Sequence, residues 1–216
     1  MPNWVFNTLE VSGSPETVKK LAEQLAQPYE YEYIDYKGEQ QKVSRSERLS
    51  FWNIIKPDDL VAYNTSMGNI QEQFAKDNWY LWNIANWGTK WEPSEVNGGD
   101  VSVDDVRGEA TYGVSFDTAW SPPAQAITLL SEQYPDADIA LHFKEEQGWG
   151  GSYEFKGGVA TETNSYEWAC WECDTQYQEF PDRTEEMEDN GTCPECFDQE
   201  AYDRVSAERE ARDANV

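Results

Sequence analysis

Basic residues are scarce in this chain. Sixteen Lys and Arg stand against 42 Asp and Glu in 216 residues, with a single histidine. The resulting formal charge of −26 repels nucleic-acid phosphate and anionic lipid, which argues against simple DNA or RNA binding and favours basic protein surfaces as partners. Long apolar runs are missing too. No stretch approaches the roughly 18 apolar residues of a membrane span, and the opening Met1-Pro-Asn-Trp-Val-Phe has no basic region ahead of an apolar core, so a cytoplasmic protein is expected. Gly148-Trp-Gly-Gly151 is not followed by the Gly-Lys-Ser/Thr clamp of a phosphate loop and reads as a hairpin. The lone His142, on an expected strand, has no identifiable nucleophile or orienting partner, so no residue is assigned a catalytic role.

Cysteine is limited to four residues, all in Cys170-x-x-Cys173 and Cys193-x-x-Cys196, with nineteen residues between the pairs. Each short pair aims two thiolates at one point, and two pairs complete the closed tetrahedral shell that a structural Zn²⁺ prefers. Such a shell leaves no open position for water or substrate, so the motif predicts how the tail folds rather than a reaction. Two rival readings exist. Disulfides would require a secreted protein, whereas the expected compartment is reducing; redox exchange through a CxxC needs one reactive pair, not two.

What the chain has in quantity is aromatic surface. Ten Trp, twelve Tyr and eight Phe give an acidic sequence the buriable area that disordered acidic tails lack. Alternation over residues 4–11 predicts a strand. Ser14 as cap, Pro15 at the first helical position and Val18, Leu21, Ala22 and Leu25 at helical spacing predict a helix closed by Pro28. Residues 29–48, with Tyr29-Glu-Tyr-Glu-Tyr33, fit either an exposed strand or a loop. Leu49–Ile55 predicts a second strand, and Asp77–Trp87 a helix stopped at Gly88. Asn97-Gly-Gly-Asp100 predicts a turn, and Thr111–Thr118 a strand. Ser121-Pro-Pro opens a helix whose buried stripe is Ile127, Leu130 and Tyr134. Two strands follow, one with Ile139, Leu141 and Phe143 and one with Tyr153 and Phe155, and then a polar stretch leads into the cysteines, with a polar helix over Phe197–Ala214.

This order suits an α+β fold: a ferredoxin-like antiparallel sheet with helices on one face over residues 1–160, and an acidic zinc-ribbon-like module over 161–216. From residue 160 onward 17 acids face 4 bases, so the tail carries about half of the net charge. Glu185, Glu186, Glu188 and Asp189 are the candidate partner-binding residues there. A different candidate is an aromatic ligand site of Trp82, Trp87, Lys90, Trp91 and His142, although core packing is the favoured account of its tryptophans.

Four ordered blocks, Met1-Pro-Asn-Trp-Val-Phe-Asn-Thr-Leu-Glu-Val-Ser-Gly13, Ser50-Phe-Trp-Asn-Ile-Ile-Lys-Pro57, Asn86-Trp-Gly-Thr-Lys-Trp91 and Phe116-Asp-Thr-Ala-Trp-Ser-Pro-Pro123, resemble the YubB-like family of plasmid and phage proteins. The resemblance spans roughly residues 1–160 and implies a ferredoxin-like domain of mobile-element origin in a bacterial host, with no catalytic residues to carry over. The expected function is that of a non-enzymatic accessory protein binding a basic host protein, foremost a counter-defence inhibitor that mimics nucleic acid before a nuclease. The alternatives are a small-ligand-binding or enzymatic domain, and an accessory subunit of a phage assembly.

Overall fold

The computed structural model describes residues 3–34, 37–60, 63, 78–179, 181, 184, 187, 191–199 and 202–203. The expected helix over Phe197–Ala214 falls largely outside them. By their internal contacts the residues form two units, one of 1–146 with 151–164 and one of 147–150 with 165–216.

The first unit begins as its sequence dictates. β1 (Trp4–Gly13) alternates buried Val5, Asn7, Leu9 and Val11 with exposed Phe6, Thr8 and Glu10. α1 (Pro15–Leu25) starts where the Ser14 hydroxyl accepts from the Thr17 N–H, with Pro15 in the first turn, where its missing N–H costs nothing. Its stripe of Val18, Leu21 and Leu25 is buried.

The described residues between α1 and residue 94 then form a long excursion. β2 (Tyr29–Ile34) and β3 (Gln40–Arg45) pair as an antiparallel hairpin, which settles the segment left open between strand and loop. Leu49–Ile55 is not a strand. It is a single 3-10 turn, Phe51–Asn53, whose Phe51 and Trp52 enter the core because bulky aromatics on a tight turn bury as well as they would on a sheet. The Asn53 amide donates to the Leu25 and Gln27 carbonyls at 3.0 and 2.8 Å, satisfying acceptors that the end of α1 leaves over. α2 (Trp79–Asn86) is capped by Asn78, whose side chain accepts from the Leu81 N–H, and Gly88 adopts the expected left-handed conformation at φ +85° just beyond it.

β4 (Ser94–Asp104) corrects a second expectation, because Asn97-Gly-Gly-Asp100 lies inside a strand rather than at a turn. The glycines make bulges, with register shifts between Ser94 and Asn97 and between Gly98 and Asp100. At Gly98, φ is +86° and a Cβ would sit 2.8 Å from the Gly113 carbonyl, so only glycine lets the two backbones approach. β5 (Glu109–Ala119), α3 (Ala124–Gln133), β6 (Asp138–Glu145) and β7 (Gly150–Lys156) follow as expected, with Ile127, Leu130 and Tyr134 buried. The polar stretch after Gly157-Gly158 is a further strand, β8 (Val159–Tyr166), exposed along most of its length.

Sheet order is β4-β5-β1-β6-β7-β8, and β4–β5, β5–β1 and β1–β6 are antiparallel. The path β1-α1-β4-β5-α3-β6 is therefore a ferredoxin-like core, with β7 and β8 added beyond β6. Buried residues of β1, β5 and β6 join those of α1 and α3 in one cluster that also takes in Phe51, Trp52 and Trp87 from the excursion. Phe51 meets Phe116 edge-on at 6.0 Å, so the excursion is stapled to the sheet by aromatic contact. The opposite face of the sheet, with Thr8, Glu10, Ser115 and His142, is solvent-exposed.

Candidate metal centre

In the second unit, β9 (Trp168–Ala169) pairs with β10 (Gln176–Tyr177), and the turn between them carries the first cysteine pair. The turn is fixed by its backbone: the Cys170 N–H donates to the Thr175 carbonyl and the Asp174 N–H to the Cys170 carbonyl, each at 3.0 Å. The second pair sits in a matching knuckle, where the Cys196 and Phe197 N–H groups both donate to the Cys193 carbonyl. The two knuckles are joined by the Cys193 N–H, which donates to Cys170 Sγ at 3.3 Å.

All four Sγ atoms lie within 4.8 Å of one another. Cys173 and Cys193 are 3.8 Å apart, which matches the edge of roughly 3.8 Å that follows for a sulfur tetrahedron with metal–sulfur bonds of about 2.3 Å. All four cysteines are free, so the disulfide reading is overturned. Cys170 and Cys193 are buried and Cys173 is exposed. The charge balance among the thiols is uneven. Hydrogen bonding from Thr175 lowers Cys173 to about 6, whereas neighbouring Cys173 and Cys193 push Cys196 above the ordinary thiol range. Thiolates this close repel one another, and a divalent cation at their centre would offset that repulsion. The donor set thus fits a metal ion held by Cys170, Cys173, Cys193 and Cys196.

Trp168 is 1% exposed and packs on Tyr177 at 5.5 Å beside the buried cysteines, whereas Trp171 is 45% exposed. Cysteine spacing revealed the ligands. Nothing in the spacing pointed to Tyr177, whose hydroxyl interacts with the Cys193 sulfur.

The five residues of the aromatic candidate are not brought together. Trp87 is buried, with Trp82 edge-on against it at 5.5 Å, both within the packing of the excursion. Lys90 and Trp91 lie at the surface, where the ammonium sits 4.6 Å from the Trp91 ring and 4.5 Å from that of Trp120, which sequence reasoning had not singled out. His142 stands on the exposed sheet face, its Nδ1 2.7 Å from Ser152 Oγ. Neither described cavity is lined by any of the five. Glu185, Glu186, Glu188 and Asp189 lie outside the described residues.

Residues 86–191 match the family model described as "Ferredoxin-like domain in Api92-like protein". This chain carries a ferredoxin-like domain. The matched segment runs past residue 160 and takes in Cys170 and Cys173, but ends before Cys193 and Cys196. The fold is similar to the crystal structure of the protein Api92 from Yersinia pseudotuberculosis, with 11% sequence identity and a TM-score of 0.46 over 84% of this chain and 100% of that one. No curated protein matches the chain. No helix among the described residues is long and apolar enough to cross a membrane.

Proposed function

We propose that the protein is a non-enzymatic accessory protein of a phage or plasmid that binds a basic protein surface in the bacterial cytoplasm, acting as a counter-defence inhibitor of a nucleic-acid-binding enzyme. The observation that carries this reading is a large excess of carboxylate displayed on an ordered scaffold. Glu10, Glu95, Asp104, Asp105, Glu109 and Glu154 are exposed on the ferredoxin-like unit, and Glu167, Glu172, Glu179 and Glu195 on the cysteine unit. Nucleases line their channels with Lys and Arg spaced for phosphate, and a rigid acidic surface competes there by presenting carboxylates in place of phosphates. The YubB-like sequence blocks support a mobile-element origin.

The metal in this reading is structural Zn²⁺. Four soft thiolates in a closed tetrahedron suit zinc over hard cations, and the closed shell holds the acidic tail in shape without offering a reactive position.

The test is inhibition of purified restriction and RNA-guided nucleases by the zinc-loaded protein across ionic strength. Inhibition at about 50 mM salt that weakens at least tenfold by about 200 mM is the expected result, as for displacement from a phosphate channel. Absence of association with every such enzyme at the lower salt overturns the reading.

A further inference from the structure

We propose that the open face of the six-stranded sheet is the docking site for an extended basic segment of the partner, and that Glu10 is the carboxylate that receives its cationic side chain. The inference rests on the proposed function and gives it a place other than the tail acids Glu185, Glu186, Glu188 and Asp189.

Strand register makes the site. On the exposed face Glu10 of β1 lies opposite Gly113 of β5 on one side and Ala140 of β6 on the other. One neighbour has no side chain and the other only a methyl, so the carboxylate stands in a clearing while the adjacent rows, Thr111–Ser12–Asp138 and Ser115–Thr8–His142, carry full side chains. The space over Gly113 is open, since a Cβ there would meet nothing within 4 Å. Around this floor is a groove of about 750 Å³ that reaches Glu154 and Thr161 on the two strands beyond β6.

Its charge fits one kind of occupant. Among the described residues Lys156 is the sole cation lining the groove, and its ammonium is already engaged by Asp138 at 2.7 Å and by the carbonyls of Asp136 and Ala137 at 3.2 Å. No described ion pair engages Glu10 or Glu154. An anionic ligand entering here meets the carboxylates of Glu10 and Glu154, whereas a guanidinium or ammonium finds a carboxylate between bare backbone and small side chains, with the hydroxyls of Ser12, Thr111 and Thr161 as further acceptors. The groove is open and runs across several strands, a shape that admits an extended chain bringing several side chains at once.

The test uses the full-length, zinc-loaded protein and a synthetic arginine-rich nonapeptide, titrated by calorimetry at about 50 mM salt. Three variants separate the groove from bulk charge. Glu10→Gln and Glu16→Gln each remove one negative charge, the first in the clearing and the second on α1; Gly113→Leu fills the clearing at constant charge and suits a strand position. Glu10→Gln and Gly113→Leu are each expected to weaken the peptide about tenfold, and Glu16→Gln less than about twofold. Equal losses for the two glutamine variants, with no effect of Gly113→Leu, overturn the docking site and leave the acidic-mimic reading standing. A wild-type protein that does not bind the peptide removes the support for both. If Gly113→Leu fails to fold, as seen by circular dichroism, the comparison of the two glutamine variants still decides.

Discussion

The ferredoxin-like unit and the cysteine unit reach order by opposite routes. In the first, alternate residues of three adjacent strands and the stripes of two helices bury a continuous core from Leu9 and Val11 through Phe116 and Leu141, each large side chain contributing about 1.5–3 kcal/mol. In the second, the buried hydrophobic cluster of the described residues is Trp168, Cys170 and Cys193, with Tyr177 and Cys196 against it. Apolar burial among the described residues of this unit is small, and a metal ion held by the four thiolates would order it through a cross-link rather than a core. The contrast assigns stability to the sheet and conditional folding to the tail.

Stripping the metal breaks the comparison most directly. Chelation, or Cys193→Ser, is expected to abolish amide-exchange protection at Cys170, Asp174 and Cys196, because the apparent binding energy of a four-thiolate zinc site, about 10–16 kcal/mol, is also the folding energy of such a unit. Amides of β1, β5 and β6 are expected to keep their protection. Retained protection in the tail of the metal-free protein would mean that Trp168 and Tyr177 suffice, and the contrast would fail.

The complementary lesion lies in the sheet. Phe116 is 1% exposed and meets Phe51 edge-on, so Phe116→Ala removes core volume and unclasps the excursion from β5. A loss of about 3–5 kcal/mol in urea unfolding is expected, with metal stoichiometry unchanged. A smaller cost would show that the excursion collapses into the space left behind.

How much of this was legible follows the range of the forces. Ser14, Pro15 and the spacing of Val18, Leu21 and Leu25 act within a few residues, and α1 begins and ends where they place it. The cysteine pairs were legible because knuckle geometry is also local. Leu49–Ile55 misled because a short apolar run reads alike as a strand or as a buried turn. The deciding contact there, from Glu92 to the backbone of Phe51 and Trp52, comes from about forty residues away. Asn97-Gly-Gly misled in the opposite sense. Gly98 serves the approach to Gly113, which no single strand displays, and β8 was missed because an exposed edge strand need not alternate. The Glu10 clearing was illegible for the same reason, since it exists only once β5, β1 and β6 are in register.

Glu92 offers the finest probe of the contrast, because it makes the sheet unit respond to pH in the sense opposite to the tail. Its carboxylate accepts from the Phe51 and Trp52 N–H groups, both at 2.9 Å, and from the Ser50 hydroxyl at 3.1 Å, closing the start of the 3-10 turn. Burial outweighs these donors and raises the group from 4.5 to about 7. A carboxyl raised in the folded state binds a proton that the unfolded chain has released, so its contribution is fully present below about pH 4.5 and is lost as pH climbs through about 7. Relative to Glu92→Gln, which cannot ionise, the wild type is expected to lose up to about 3 kcal/mol across that window and to change little above it. Thiolates holding a metal ion would respond the other way, releasing the ion as acid protonates them. Urea unfolding of both proteins at about pH 5 and about pH 8, followed by tryptophan fluorescence, reads the sheet unit's slope. Parallel stabilities for Glu92→Gln and the wild type at the two pH values would place Glu92 in a hydrated site and leave the turn held by Phe51 and Trp52 packing alone.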